Sequence, residues 1–318
     1  MADTSALRRL MERLSRETGF SGEFRFAETM ASHTTFRTGG PADLWVRPAA
    51  ACFPECAAVL LALAREEGVP VFILGGGANI VVSDRGVRGI VLDTGAWTGR
   101  EFRGTAGGDT VAVRAGTTMD ALVDAAAGQG RGGLEFLAGM PGTLGGAVWM
   151  NARCMERSIS DALVGTTVLD ESGERLFIPY KEGDFSYKRS PFQGRDVLIL
   201  SAEFRVYRRD AEEIRREAET LRRDRETKGH YRAPSAGSAF KNNRAFGKPT
   251  GKIIDELGFK GFSIGGAAVA PWNGNIIVNT GNASSSDIRA LVNMVTEKVR
   301  AASGFVLEPE ILFVGEWV

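Results

Sequence analysis

Apolar residues return at helical spacing in several stretches of the chain. Leu7, Leu10, Met11 and Leu14 form one stripe in an otherwise charged segment, which predicts an amphipathic helix over residues 1–19. Val59, Leu60 and Leu63 do the same over 54–67, with Pro54 suited to a first turn and Gly68-Val69-Pro70 to a stop. Met119, Leu122, Val123 and Ala126 follow a capping Thr118. Near the end, Ile288, Leu291, Val292, Val295 and Val299 share a face over 287–302, behind the candidate caps Ser284, Ser285 and Ser286. A helix over 210–228 is mostly charge, with Ile214, Ala218 and Leu221 its only apolar seam, and a short one over 252–257 is closed by Gly258.

Short apolar or alternating runs predict strands at 69–74, 80–82, 89–92, 111–114, 163–169, 175–178, 197–207, 267–270, 275–279 and 311–314. In one of them Leu198, Leu200, Ala202, Phe204 and Val206 alternate with polar positions, the pattern of a half-buried strand. The mixture is α+β. Its character changes near Arg208, which predicts a first part over 1–207, itself split near residue 69, and a smaller α/β part over 208–318.

Charge and composition then remove whole classes of function. The 39 basic and 39 acidic residues cancel, so no global field draws the chain to nucleic acid or to an anionic membrane. The longest apolar run, 57–64, is too short to insert in a bilayer, and the N-terminus lacks the shape of a secretory signal, so a cytoplasmic protein is expected. Three cysteines make no disulfide framework. The two histidines, His33 and His230, stand at no metal-ligand spacing, and no metal site is expected.

Glycine changes the picture most: 40 of 318 residues, against a usual share of about 7%. The predicted strand 69–74 empties into Gly75-Gly76-Gly77-Ala78-Asn79, and a second glycine-rich loop runs from Gly139 to Gly146. Such turns let the main chain approach a ligand and point successive N–H groups at an anion, most often a phosphate. Four polar segments complete the candidate chemistry. They are Thr35-Phe36-Arg37-Thr38-Gly39-Gly40, Asp184-Phe185-Ser186-Tyr187-Lys188-Arg189-Ser190, Pro234-Ser235-Ala236-Gly237-Ser238-Ala239-Phe240-Lys241-Asn242, and Leu307-Glu308-Pro309-Glu310. No serine–histidine pairing supports a hydrolase triad. The residues alone imply a phosphate-bearing ligand on glycine loops, with a basic and hydroxylic site elsewhere.

Taken in order, these segments resemble the UDP-N-acetylenolpyruvoylglucosamine reductase family, in its shorter subclass, over about residues 35–315. The resemblance implies a vanillyl-alcohol-oxidase-type FAD-binding unit followed by a small C-terminal substrate domain. It implies non-covalent FAD held by Gly75, Gly76, Gly77, Ala78, Asn79 and Ile80, and by Gly139, Pro141, Gly142, Thr143, Gly145 and Gly146. NADPH would be the reductant and a UDP-sugar the substrate, with UDP-N-acetylglucosamine enolpyruvate reduced to UDP-N-acetylmuramate for peptidoglycan synthesis. By the same resemblance Ser238 is the proton donor and Glu310 a second catalytic group. Tyr187, Lys241 and Asn242 align near the substrate, and Lys228 with its diphosphate.

Two departures accompany the resemblance. The family's usual Tyr-Arg-x-Ser reads Tyr187-Lys188-Arg189-Ser190 here, so Lys188 takes the place of the catalytic arginine, or Arg189 does if the register slips by one. Lysine offers a point charge and not a bidentate fork. The usual Gly-Ala-Tyr-Gly reads Arg153-Cys154-Met155-Glu156. An FAD-dependent oxidase or dehydrogenase of the same fold is one alternative function, and a non-catalytic sugar-nucleotide-binding relic, motivated by these departures, is another.

Overall fold

The computed structural model describes residues 4–105 and 108–317; the first three residues of the predicted opening helix lie outside them. The chain forms two compact units. The first comprises residues 1–26, 43–76 and 89–223, the second 27–42, 77–88 and 224–318.

The first unit is built on an antiparallel sheet. Its strands run in the order Arg175–Pro179, Leu163–Leu169, Leu198–Arg208, Gly108–Arg114, Arg100–Thr105, with Arg131–Gly132 pairing the end of the long central strand. The register sets Val111 opposite Phe204 and Val113 opposite Ala202. All four side chains are buried, and helices Met119–Gly128 and Leu144–Trp149 close over them. Thr118 caps the first of these helices by accepting from the Ala121 N–H.

A second sheet, most of it in this unit, orders Gly22–Thr29, Pro41–Pro48, Val87–Asp93 and Val71–Leu74, the last two parallel. Helices Thr4–Thr18 and Phe53–Glu66 supply much of its core. The predicted stripe Leu7, Leu10, Met11 and Leu14 is wholly buried there, at about 1.5–3 kcal/mol for each such side chain. Burial pushes the Cys56 thiol up to about 11, so it is not a reactive thiolate.

The charged helix Ala211–Thr227 falls mostly in the first unit, and the compact units part after residue 223. The reason is its thin apolar seam: Ala218 and Leu221 join the core of the first sheet, and Arg222 reaches Asp120 and Asp124 at 2.8 and 2.6 Å.

The second unit packs helix Ser285–Ser303 and helix Thr250–Glu256 against a small antiparallel sheet of Ser263–Ile264, Ala267–Val269 and Ile277–Asn279. Ile80–Val82 pairs in parallel with Leu312–Val314, which explains why residues 77–88 belong to this unit. The predicted helical face Ile288, Leu291, Val292, Val295 and Val299 is buried, and Gly304 at φ 75° ends the helix. Among the described residues, no helix is long and apolar enough to cross a membrane.

Candidate active site

The strand Val71–Leu74 delivers Gly75 and Gly76 against the second glycine loop. A Cβ on Gly75 would lie 2.7 Å from Thr143 Oγ1, and one on Gly76 would lie 2.6 Å from the Cα of Gly142. Any side chain at either position would therefore push the two loops apart. The second loop is itself fixed to the sheet: the Leu144 N–H donates to Thr117 O and the Gly145 N–H to Ala115 O, each at 2.9 Å. Gly139 and Gly142 take positive φ, 68° and 103°, so the turn needs residues without Cβ. Pro141 is exposed, and a Cβ on Gly146 would meet nothing within 4 Å.

Thr143 Oγ1 is buried and has no hydrogen-bond partner among the described residues. Buried hydroxyls are normally paired. An orphaned hydroxyl between two loops stripped of Cβ atoms fits an acceptor-rich ligand such as a diphosphate, so the residues present suit FAD.

The division between units falls inside the first loop, so Gly77, Ala78, Asn79 and Ile80 lie in the second unit. Gly77, at φ 61°, has a Cβ direction aimed 2.0 Å from His33 O, and its carbonyl accepts from the Thr35 N–H at 3.1 Å. Asn79 turns toward Glu310: its side-chain Nδ2 donates to Glu310 O at 3.0 Å and its carbonyl accepts from the Leu312 N–H at 2.9 Å.

Tyr187 and Lys188 occupy the tip of a tight turn in the first unit. Ser186 and Arg189 close it by exchanging N–H···O bonds of 3.1 and 3.0 Å. Lys188 has φ 59°, a left-handed conformation that only surrounding contacts hold for a non-glycine residue. Those contacts come from Asn151 and Arg153, beside and within the Arg153–Glu156 stretch, and from Gln193 just after the turn. Asn151 Nδ2 donates to Ser186 O at 2.8 Å, Gln193 Nε2 to Lys188 O at 3.2 Å, and the Arg153 guanidinium lies 5.9 Å from the centre of the Tyr187 ring. Ser190 is buried and donates to Trp149 O at 2.6 Å. Lys188 is half-buried; Arg189 is exposed.

Ser238, Lys241 and Glu310 are brought together in the second unit. The segment 238–241 runs as an extended piece between two others. On one side the Glu310 N–H donates to Ala239 O at 2.8 Å, and the Lys241 N–H to Glu308 O at 2.9 Å. On the other side Ser238 bridges to Ile276. Ser238 and Glu310 are both half-buried. Lys241 Nζ pairs with the Glu308 carboxylate.

Two candidates are engaged otherwise. Asn242 Oδ1 accepts from the Thr250 N–H at 2.9 Å, at the start of helix Thr250–Glu256. Lys228 Nζ pairs with Asp224 at 2.6 Å, one turn back along the same charged segment.

Asn275 is absent from the sequence-derived site. The sequence pattern starts a strand there, whereas the strand begins at Ile277 and the Asn275 side chain turns to Phe240. The one signal the sequence offers is an amide heading the apolar run Ile276-Ile277-Val278.

Residues 53–178 match an FAD binding domain family, and residues 229–314 match the family described as UDP-N-acetylenolpyruvoylglucosamine reductase, C-terminal domain. The chain is similar to the UDP-N-acetylenolpyruvoylglucosamine reductase of Treponema denticola, 39% identical, over 93% of this chain and 95% of the relative. It is 38% identical to the enzyme of the same name from Borreliella burgdorferi, over 91% and 93%. The crystal structure of the Thermus caldophilus UDP-N-acetylenolpyruvylglucosamine reductase superposes with a TM-score of 0.75 at 31% identity, covering 93% of this chain and 99% of that one.

Proposed function

The chain belongs to the UDP-N-acetylenolpyruvoylglucosamine reductase family, and from that premise we infer how its own residues serve the reaction. It is an FAD-containing, NADPH-dependent oxidoreductase. It reduces UDP-N-acetylglucosamine enolpyruvate to UDP-N-acetylmuramate in peptidoglycan precursor synthesis. The observation that carries the reading is the cradle at Gly75, Gly76, Gly142 and the orphaned Thr143 hydroxyl. We assign FAD binding to 1–207 and substrate binding to 208–318 as functional parts, although the compact units place Gly77 to Ile80 with the second. We place the enzyme in the cytoplasm, where UDP-sugars and NADPH are at hand.

FAD, when bound, supplies hydride transfer from NADPH to the methylene carbon of the enolpyruvyl group. The chain must do the rest. Negative charge develops on the neighbouring carbon and its carboxylate, and the Lys188 ammonium, held at the turn tip, is suited to stabilise it. The Ser238 hydroxyl donates its proton to that carbon. A serine hydroxyl is a poor acid in water, so the step needs contact and orientation more than acidity. Glu310, tied through the main chain to the residue after Ser238, steers the substrate or returns a proton to the serine. Tyr187, Lys241, Asn242 and Lys228 are assigned to the sugar nucleotide.

The test is NADPH oxidation by the purified protein. It should be yellow, and NADPH should be consumed only when the enolpyruvyl sugar nucleotide is present. A colourless preparation, or consumption indifferent to that substrate, would contradict the proposal.

A further inference from the structure

Asn275 is 6% exposed and holds the serine loop by three bonds. Its Oδ1 accepts from the Phe240 N–H at 2.9 Å, and its Nδ2 donates to Phe240 O at 2.8 Å. Its main-chain carbonyl accepts from the Ala239 N–H at 2.7 Å. Its own N–H is fixed in turn by Asn273 Oδ1 at 2.9 Å. A carboxamide carries one acceptor and one donor group side by side, so it can replace a strand neighbour for a single residue. An aspartate could accept but not donate; an apolar residue could do neither.

The segment carrying Ser238 is therefore held unequally on its two sides. Residues 308–310 hold one side with main-chain bonds, and with the Lys241–Glu308 ion pair at its end. On the other side the chain turns between Asn273 and Ile276, where Ile276 N–H donates to Asn273 O at 3.1 Å, and a side chain supplies the bonds that a strand would otherwise give. Phe240 is 1% exposed, so its N–H and C=O have no water to turn to if that side chain is lost. The backbone would move to find partners, and Ser238 stands two residues away.

We propose that Asn275 is a positioning residue for the Ser238 hydroxyl, setting the contact through which the proton reaches the substrate carbon. The inference rests on Ser238 being the proton donor. Misplacement by about 1 Å at a reacting group costs on the order of 10²-fold in rate. The loss should fall on the step that needs the proton and spare the step that does not.

The experiment compares the holoenzyme with Asn275→Ala and Asn275→Asp by rapid mixing without oxygen. Bleaching of the flavin by NADPH is followed first, then its recovery on adding the enolpyruvyl sugar nucleotide. Bleaching at the wild-type rate with recovery slowed by about 10²-fold supports the proposal. So does a double variant, Asn275→Ala with Ser238→Ala, that recovers no more slowly than Ser238→Ala alone. Equal loss in both steps, loss in neither, or both variants purified without flavin would overturn it, since each makes Asn275 something other than a guide for one hydroxyl. Ser238→Ala keeps the two claims apart. If it recovers at the wild-type rate, the proton-donor reading fails. If it is slow while both Asn275 variants are fast, that reading stands and the positioning role falls.

Discussion

Gly76 stands so close to Gly142 that a Cβ on the first would lie 2.6 Å from the Cα of the second. The approach welds two loops that are distant in sequence into one cradle. Thr143 Oγ1 lies beside it, buried and unpartnered among the described residues. The cradle has no room for a side chain on its inner seam, yet Gly146 opens onto space.

Gly76→Ala should strain the fold by about 1–3 kcal/mol and lose flavin together with stability. Gly146→Ala should behave differently. It adds helix propensity within Leu144–Trp149 and should raise the stability of the flavin-free protein by about 0.5–1 kcal/mol. It should nevertheless weaken flavin binding, because the new methyl group enters the space the ligand needs. Thermal melts with and without FAD, beside a fluorescence titration of the flavin-free protein, separate the two effects.

The two cations of the turn should not be equivalent. Lys188→Ala should lower kcat by about 10²-fold or more, the usual loss when a fixed stabiliser of developing charge is removed. Arg189→Ala should leave kcat close to wild type, because Arg189 is exposed while Lys188 is half-buried at the turn tip. Steady-state NADPH oxidation decides this; collapse in Arg189→Ala alone would move the catalytic role by one residue.

Asp84 closes the N-terminus of helix Ser285–Ser303. Its two carboxylate oxygens accept from the Ser285 and Ser286 N–H groups, each at 2.8 Å. Those groups are first-turn donors with no partner inside the helix. Asp84→Ala should cost about 1 kcal/mol, read as a lower urea midpoint at unchanged slope.

His230 gives the fold an acid-side weakness. Burial, reinforced by Arg225 and Lys228, lowers its pKa from the ordinary 6.5. The unfolded chain therefore takes up a proton at a pH where the folded chain does not. The neutral ring's contribution is intact above about 6.5 and is lost as pH falls from there through the lowered folded value. His230→Asn should flatten the stability profile in that window, measured by denaturant melts at a series of pH values. An unchanged profile would contradict the assignment.

The helices were legible because burial imposes a 3.6-residue period. The stripes in Thr4–Thr18 and Ser285–Ser303 are buried as the pattern reads. Gly22–Thr29 and Arg100–Thr105 show no strand pattern because they carry many charged and polar side chains, as edge strands do, and Phe24 is exposed. No local signal announces that Ile80–Val82 pairs with Leu312–Val314, so the interleaving of the two units was not readable. The same holds for the site. Glycine loops speak for themselves, whereas Glu310 read only as a carboxylate before a strand until the family resemblance gave it a role. Asn275 gave less still, since its bonds reach back to a residue 35 positions earlier.

This chain passes reducing equivalents from NADPH to an enolpyruvyl ether. The most direct measurement reduces the bound flavin with NADPH under anaerobic conditions, removes the excess nucleotide, and adds UDP-N-acetylglucosamine enolpyruvate. The yellow colour should return as UDP-N-acetylmuramate forms in equal amount. A flavin that stays bleached with that substrate, or that is instead reduced by a hydroxy acid in the absence of NADPH, would contradict it.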